Sequence, residues 1–319
     1  MEVSSFIFNS EFHMNKNRFF WKLIIVSACL MLADKGLGWI CQHYYLKIRH
    51  GEQGRTNYAI DSCRAETIIL GSSRAEHHYV SPVISEILNT SCYNAGKDKQ
   101  RLRYALAMLK MMYRRYEPKL VILDLNPTAF EITESGLDEL SVLLPYYRSH
   151  PEIRAIVNER NRFEWIKTWS DLYCYNSLPL KILFNNISDE KDDGEKQGYV
   201  PLVIRKEFIP DFPDSLSPVL PADSSIVDCF RQIIRIARNH GTRLIVAVSP
   251  IYYRLPKNLP TMVIARAICA EEKISFLDYS QSPPFLNHGP EMYLDMGHLN
   301  DSSAILFSRM LATDLKNIK

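Results

Sequence analysis

Short runs of aliphatic residues alternate with helical segments along most of the chain, and this rhythm is the strongest constraint on the fold. Three of the runs are long: "ETIILG" (66–71), "KLVILDL" (119–125) and "RLIVAVSP" (243–250). Two shorter runs, 91–94 and 274–280, bring the number of predicted strands to about five. Continuous apolar strands separated by helices are typical of parallel sheets that are covered on both faces. The sequence therefore predicts an α/β fold with a doubly wound parallel sheet.

One long stretch, 128–222, lacks this rhythm. It is rich in Trp, Tyr and Pro, and it contains a strongly charged segment, "SDEKDDGEKQG" (188–198). We expect it to form a helical insertion in the α/β domain, with the charged segment as a solvated loop. Its aromatic part, "FEWIKTWSDLYCY" (163–175), either stacks on sugar rings or packs a small helical lid onto the sheet.

The N-terminal region contains the only predicted membrane segment. An uncharged apolar run, 23–33, is bracketed by Trp21 and Trp39. The 18 residues that separate the two tryptophans span roughly 27 Å as a helix, which is close to the thickness of the bilayer hydrocarbon core. Because no A-x-A cleavage site follows, an uncleaved anchor is favoured over a signal peptide or a buried core helix.

This interpretation divides the chain into four parts and places the large domain outside the cytoplasm, in the periplasm or its equivalent, on a single membrane span. The parts are a short cytoplasmic tail (1–17), a transmembrane anchor (18–41), a polar linker (42–62) and the α/β domain (63–319) with its insertion at about 128–222.

Composition excludes several classes of function. Lys and Arg number 38 against 36 Asp and Glu, so the net charge of +2 gives no support to nucleic-acid binding. The seven cysteines include no C-x-x-C pair, which argues against a zinc ribbon or a thioredoxin-like redox site. Cys63 and Cys92 either form a disulfide or are buried thiols, as most of the cysteines are expected to be. We expect no metal and no cofactor.

Polar residues follow the predicted strands at the points where the strands end. The four clusters are "GSSR" (71–74), "NAG" (94–96), "DLN" (124–126) and "YLDMGHLN" (293–300). Ligands of open parallel sheets bind outside the carboxyl ends of the strands, so these clusters are expected to meet at one site.

Together the clusters contain the residues that a serine hydrolase needs. Ser73 is the candidate nucleophile, His298 the general base, and Asp295 the carboxylate that orients the imidazole. A tetrahedral oxyanion also needs preorganised donors, which the backbone N–H groups of Ser73 and Gly96 and the side-chain amide of Asn126 can supply.

In chain order these clusters resemble the sequence blocks of the SGNH (GDSL-type) hydrolase superfamily. Gly71–Ser73 matches the G-D-S block, Asn94–Gly96 the glycine block, Asn126 the asparagine block and Asp295–His298 the D-x-x-H block. The resemblance covers about 66–130 and 243–316. The chain departs from the pattern in two ways: Ser72 replaces the usual Asp, and Asn126 lacks the flanking Gly and Asp.

The resemblance implies a flavodoxin-like sheet and an acyl-serine mechanism without cofactors. The anchor makes the chain similar to membrane-anchored O-acyl esterases and transferases of envelope glycans and to the D-alanyl transfer protein of teichoic-acid modification. We therefore expect a serine esterase or acyltransferase whose partners are O-acylated (O-acetylated) glycans or small acyl esters, with a membrane-bound acyl-export protein as a further partner. The alternative is a non-catalytic scaffold, or a glycan-binding component of an export complex.

Single motifs also have simpler interpretations. Ser72 and Ser73 alone suit a helix N-cap, and an Asn-Ala-Gly segment alone is an ordinary turn. Beside the nucleophile, four residues are candidates for substrate binding: Arg74, His77, His78 and Asn94. Arg74 binds an anionic group or forms a surface ion pair. His77 and His78 are adjacent and diverge by about 100° on a helix, so they are not expected to hold one metal ion together.

Overall fold

The structure is a computed structural model, and it describes residues 16–132, 137–187, 195–203, 219–287 and 289–318. Most of the predicted tail (1–17) and the first part of the charged loop (188–198) lie outside the described residues.

The centre of the protein is a sheet of five parallel strands in the order β2-β1-β3-β4-β5. The strands are β1 (Thr67–Leu70), β2 (Cys92–Asn94), β3 (Leu120–Asp124), β4 (Arg243–Val248) and β5 (Ser275–Asp278). This is the flavodoxin-like order, and its topological switch point lies between β1 and β3. In the register of these two strands Ile69 is paired with Ile122. The predicted doubly wound parallel sheet is confirmed.

Helices cover both faces of the sheet and precede and follow it. In chain order the helices are α1 (Lys16–Tyr45), α2 (Gly51–Asp61), α3 (Ser73–His78), α4 (Ser81–Leu88), α5 (Leu102–Tyr113), α6 (Arg154–Asn158), α7 (Glu164–Lys167), α8 (Pro179–Ile187), α9 (Ser224–Asn239), α10 (Pro260–Glu271), α11 (Pro283–Leu286) and α12 (Asp301–Asn317). Short 3₁₀ segments lie at Asp138–Tyr146, Pro151–Ile153, Leu172–Tyr175 and Pro290–Met292.

Each face of the sheet has its own hydrophobic core. Successive residues of a central strand pack in different cores, because side chains alternate between the two faces. Ile68 and Leu70 pack with helices α2, α5, α9 and α10, whereas Ile69 packs on the other face with α4 and α12. Val121 and Ile122 of β3 divide in the same way. All of these side chains are fully buried, which explains why the strands read as continuous apolar runs.

The segment predicted to be a polar linker (42–62) is largely structured, and the linker prediction is wrong for its second half. Helix α2 occupies 51–61 and buries Thr56, Asn57, Ala59 and Ile60. Asn57 donates to the backbone oxygens of Tyr45 and Ile48, so the end of α1 is bonded to α2. A polar helix of this kind is stable because its side chains find partners in the body of the protein.

Helix α1 is long and apolar enough over Asn17–Tyr45 to cross a membrane, and only 6% of its most apolar window is buried. The described parts of the predicted insertion form short helices, and an antiparallel bridge between Glu131 and Ala222 joins the two ends of that insertion. The exact domain limits given above stay predictions.

Candidate active site

The candidate nucleophile lies in a tight turn between β1 and α3. Gly71 has φ +152°, and a Cβ added there would lie 2.8 Å from Cβ of Ala75 and 3.0 Å from Cβ of Asp124. Only glycine fits this turn without displacing its neighbours. Ser72 is the N-cap residue of α3, although its side chain makes no capping hydrogen bond, and Ser73 is the first helical residue. The turn holds Ser73 at the carboxyl edge of the sheet, at the switch point.

The three predicted catalytic side chains are in hydrogen-bond contact. Nε2 of His298 lies 2.8 Å from Oγ of Ser73, and Nδ1 of His298 lies 2.9 Å from both carboxylate oxygens of Asp295. Since an ionised carboxylate only accepts, Nδ1 carries the proton and Nε2 is free to accept the serine hydroxyl proton. The structure therefore brings together Ser73, His298 and Asp295 in the geometry and tautomer of a catalytic triad.

A compact turn fixes the Asp295 carboxylate. Its Oδ1 also accepts hydrogen bonds from the backbone N–H groups of Gly297 (2.8 Å) and His298 (3.0 Å). Partial burial acts to raise the pKa of Asp295, but the hydrogen bonds and charge of His298, together with the two backbone donors, outweigh it and lower the pKa below 3.8. The side chain is 51% exposed. Asp295 therefore stays ionised, but water screens its charge more than in a buried triad.

Two of the three predicted oxyanion donors border one cavity. A cavity of about 400 Å³ is lined by Ser72, Ser73 and Asn126, among others. Ser73 begins α3, so its N–H is one of those that have no acceptor within the helix. Oδ1 of Asn126 accepts from the backbone and hydroxyl of Thr128, each at 3.0 Å, which leaves the NH₂ of Asn126 as the group available to a ligand.

Gly96, the third predicted donor, has a different role. Its N–H donates to Oδ1 of Asn94 at 2.9 Å, and Gly96 is not among the residues that line the cavity at Ser73. A Cβ added to Gly96 would lie 2.6 Å from both Cβ of Ala75 and the backbone nitrogen of Glu76. Glycine is therefore needed here so that the loop after β2 can pack closely against α3. We expected the backbone of Gly96 to lie close to a substrate, but it lies close to the helix that carries Ser73.

Three of the four predicted substrate-binding residues, Arg74, His78 and Asn94, are buried and do not line the cavity at Ser73, so this prediction is wrong for them. Arg74 is 3% exposed and donates to Oγ of Ser249 through Nε (3.1 Å) and Nη2 (2.7 Å). Its partner is thus a serine that follows β4, and not the anionic substrate group or the surface carboxylate that we expected. The reason is the helical rotation: one residue beyond Ser73, the side chain already faces the neighbouring strand.

His78 is fully buried and both of its ring nitrogens have partners. Nε2 accepts from the backbone N–H of Leu299 at 3.0 Å, so Nδ1 carries the proton and donates to Oγ of Ser249 at 2.9 Å. Burial, followed by the positive charges of Arg74 and two other histidines, lowers the pKa of His78 well below 6.5. His78 is therefore a neutral residue that holds the backbone next to His298.

Asn94, also predicted to bind substrate, is likewise structural. Its Nδ2 donates to the backbone oxygens of Ala75 (2.6 Å) and Tyr79 (2.9 Å), and it is 1% exposed. All of these bonds connect the end of β2 with the helix that carries Ser73. Asn94 therefore positions the nucleophile helix and does not reach a ligand.

His77, the fourth of these residues, borders a cavity that is connected with the one at Ser73. Its Nδ1 donates to the backbone oxygen of Val200 at 2.8 Å, and the ring lines a second cavity of about 500 Å³. Asp98, Lys99 and Gln100 line both cavities, so the second one continues the first. His77 thus lies along a groove that leads to Ser73. No group of three metal-ligating side chains occurs within the described ranges.

A buried ionic contact that no sequence pattern indicated lies behind the nucleophile. Glu76 of α3 is 3% exposed, and its carboxylate accepts from Arg55 of α2 (2.8 Å) and from the backbone N–H of Asp98 (2.9 Å). Lys97, also buried, pairs with Glu52 of α2 at 2.7 Å. Helix α2 is therefore bonded to both α3 and the loop that lines the groove. Only the tertiary structure reveals these partners, because the residues are far apart in sequence.

Comparison with known proteins gives similarities at the level of whole structures alone. No family model matches the sequence, and no curated protein matches it. One similar solved structure, from Desulfitobacterium hafniense DCB-2, is described as a lipolytic protein of the G-D-S-L family: TM-score 0.39, 8% identity, 78% of this chain and 98% of that chain covered. Another is an acetyl xylan esterase, AlAXEase: TM-score 0.38, 9% identity, 79% and 98% covered.

The sheet order and the positions of the polar side chains show which type of α/β fold the protein has. Ser73 follows β1, Asn94 ends β2, Asn126 follows β3, and His298 precedes α12 and meets Ser73 across the switch point. The chain has a flavodoxin-like α/β fold in which these polar side chains lie at the carboxyl edge of the sheet.

Proposed function

We propose that the protein is a serine esterase or acyltransferase that acts through an acyl-serine intermediate. The observation that carries this proposal is the 2.8 Å contact between Oγ of Ser73 and Nε2 of His298, with Asp295 on the other ring nitrogen. A serine hydroxyl is a poor nucleophile unless a base removes its proton as it attacks the ester. Nε2 of His298 lies within hydrogen-bond distance of Oγ of Ser73 and is in the unprotonated form that can act as this base.

The reaction has two halves. Oγ of Ser73 attacks the ester carbonyl carbon while Nε2 of His298 takes the hydroxyl proton. The tetrahedral intermediate collapses as His298 returns that proton to the leaving alcohol oxygen, which leaves an acyl-serine. Water or a sugar hydroxyl then attacks the acyl group, His298 takes its proton and passes it to Oγ, and Ser73 is regenerated. Asp295 stabilises the imidazolium ion in both halves without taking up a proton.

The developing oxyanion needs donors on the side of the cavity. The N–H of Ser73 and the amide NH₂ of Asn126 are the two donors that we assign to it. Removing a donor of this kind typically costs about 10²–10³ in kcat. Asn126→Ala should therefore slow the acylation of Ser73 by about that factor.

For the substrate we propose O-acyl groups, O-acetyl in particular, on glycans of the cell envelope. The groove is lined largely by charged and polar side chains, among them Asp98, Lys99, Gln100 and Glu139. The carboxylate and amide oxygens of these side chains are hydrogen-bond acceptors. Acceptors of this kind complement the hydroxyl donors of a sugar. An anchor at α1 would hold this groove near the envelope, on the extracytoplasmic side.

Covalent labelling of the full-length protein with a fluorophosphonate tests the mechanism. We expect modification at Ser73 that is abolished by Ser73→Ala and reduced at least about 10³-fold by His298→Ala. Ser72→Ala is the matched control, because Ser72 is adjacent but makes no capping hydrogen bond, and this variant should label like the parent. Labelling that survives Ser73→Ala would contradict the proposal.

Hydrolysis and transfer differ only in the acceptor, so they are separated after labelling succeeds. The enzyme is incubated with a small acetyl ester, with and without an unacetylated envelope polysaccharide. Free acetate in both reactions indicates an esterase, whereas acetate recovered on the polysaccharide indicates a transferase.

A second function, a non-catalytic scaffold or glycan-binding component, is favoured by one specific observation. The N–H of Gly96, a donor that the resemblance assigns to the oxyanion, is already bonded to Asn94. A folded protein that is not labelled and does not turn over simple acetyl esters, but still binds acetylated polysaccharide, would establish this function instead.

A further inference from the structure

A group of large apolar side chains lies exposed on the predicted insertion. Phe163 is 46% exposed, Trp165 49%, Ile166 44% and Trp169 70%. Helix α7 turns its polar side inward, because Glu164 is 1% exposed and bonded to Arg160 and Tyr173. We call the four exposed residues the Trp patch. The rings of Trp165 and Trp169 are in edge-to-face contact, with 6.1 Å between their centroids. Exposed aromatic and aliphatic side chains in such a group indicate a surface that contacts a partner protein or a membrane.

The Trp patch lies next to the point where the middle of α1 is hydrogen-bonded to residues 170–172. Asp34 accepts from the hydroxyl of Ser170 and from the backbone N–H groups of Asp171 (2.8 Å) and Leu172 (3.2 Å). Lys35 donates to the backbone oxygen of Trp169 at 2.9 Å. These bonds attach the middle of α1 directly to the end of the patch.

Before this point α1 is largely exposed in the part of the chain that the structure describes. Residues 17–33 are all exposed except Ser27, which is half-buried. These 17 residues span about 25 Å as a helix, which approaches the thickness of a bilayer hydrocarbon core. When this part of α1 crosses a bilayer, the contact at Asp34 lies at the membrane surface. The Trp patch then lies at the same level.

Basic side chains accompany the patch. The guanidinium carbon of Arg162 lies 4.3 Å from the ring centroid of Phe163, and Lys167 and Lys35 are 42% and 51% exposed. Trp and Tyr rings prefer the headgroup level of a bilayer, and Lys and Arg near it attract anionic phospholipids. The composition of the patch is therefore that of a membrane–water interface.

We propose that the Trp patch inserts into the interface of the bilayer that α1 spans, as a second membrane contact of the protein. The proposal rests on the anchor assigned to α1 above. The membrane is favoured over a protein partner because the end of the patch is bonded to α1 at the point where the exposed part of α1 ends.

Fluorescence quenching in nanodiscs tests the proposal, because the chain has four tryptophans in two pairs, at 21 and 39 and at 165 and 169. The full-length variant Trp21→Phe/Trp39→Phe retains only the tryptophans of the patch. The matched variant Trp165→Phe/Trp169→Phe retains only those of α1. Each is placed in nanodiscs of neutral and anionic phospholipid, with bromine atoms near the ester end or near the methyl end of the acyl chains.

We expect the patch pair to lose emission with bromines near the ester end and to lose less with bromines near the methyl end. Equal emission of the patch pair with and without bromine, while the α1 pair is quenched, would overturn the second contact and leave the anchor intact. Absence of quenching in both variants would overturn the anchor as well. Neither outcome bears on the labelling of Ser73, so the enzymatic proposal is tested separately.

Discussion

The backbone N–H of Leu299 donates to Nε2 of His78 at 3.0 Å, and this buried bond holds the residue directly after His298. The same imidazole donates to Ser249 and lies edge-on to the ring of His298, with 6.1 Å between the centroids. His78 belongs to the helix that begins with Ser73. One buried histidine thus connects the nucleophile helix with the loop of the base.

Removing this connection should slow the reaction of Ser73 without removing the triad. His78→Phe fills a similar volume but leaves the N–H of Leu299 without an acceptor, so we expect acylation to fall about 10- to 100-fold, the size typical of misplaced reacting groups. The free energy of unfolding should fall by about 1–3 kcal/mol. His78→Gln, which retains an acceptor, should recover part of the rate. An unchanged labelling rate in a destabilised His78→Phe protein would show that His78 is purely structural.

His78 should also make stability depend on pH. Its pKa in the folded protein is lowered by burial, whereas in the unfolded chain it takes up a proton near pH 6.5. Below that pH the unfolded state binds more protons, so the free energy of unfolding decreases as the pH falls. One proton corresponds to at most about 1.4 kcal/mol per pH unit. Denaturant unfolding between pH 7 and 5 should give a flatter profile for His78→Gln than for the parent, and parallel profiles would contradict this.

Gly96→Ala should displace α3. The added methyl would lie 2.6 Å from both Cβ of Ala75 and the backbone nitrogen of Glu76, and these atoms are packed within α3 and cannot move freely. We expect a loss of about 1–3 kcal/mol in the free energy of unfolding, together with slower labelling of Ser73. The control is Gly36→Ala, where the added methyl meets nothing within 4 Å. The test compares thermal unfolding and labelling of both full-length variants, and equal behaviour would refute the close packing.

The ion pair between α2 and α3 should contribute far more than a similar pair on the surface. Arg55–Glu76 and Arg266–Asp278 both have N–O distances of 2.8 Å, but the arginine side chains are 15% and 62% exposed, respectively. Arg55→Met leaves the buried Glu76 carboxylate without this partner and should cost about 3 kcal/mol. Arg266→Met should cost about 0–1 kcal/mol. Denaturant titrations of the two variants give the comparison directly, and similar costs would mean that α2 is only loosely attached.

The sequence was sufficient to predict the sheet and the contact between Ser73 and His298. Strand runs such as 243–250 are apolar because both faces of the sheet are covered, and polar residues at their ends are expected to meet because parallel strands end on one edge. The directions of individual side chains were not predictable in this way. Arg74 follows Ser73 immediately, yet a rotation of about 100° sends it into the protein towards Ser249.

Helix α2 was missed for a related reason. Its sequence, "GEQGRTNYAID", contains two glycines and has no apolar stripe, so it reads as a linker. It is held by partners distant in sequence, such as Glu76 for Arg55 and Tyr45 for Asn57. The periodic spacing of apolar residues identifies helices that bury an apolar face. It does not identify helices whose buried side chains are ion pairs and amides.

The hydrogen bonds between Asp34 and residues 170–172 and the packing of α2 connect α1 to the sheet domain through ordered structure and not through a flexible linker. A domain on a disordered tether samples a hemisphere whose radius grows with the length of the tether. A domain joined rigidly to its span instead moves only laterally and about the membrane normal. With the proposed membrane anchor, the groove would sweep a thin layer at one height, and the height of the acyl group on the proposed substrate would decide whether Ser73 reaches it.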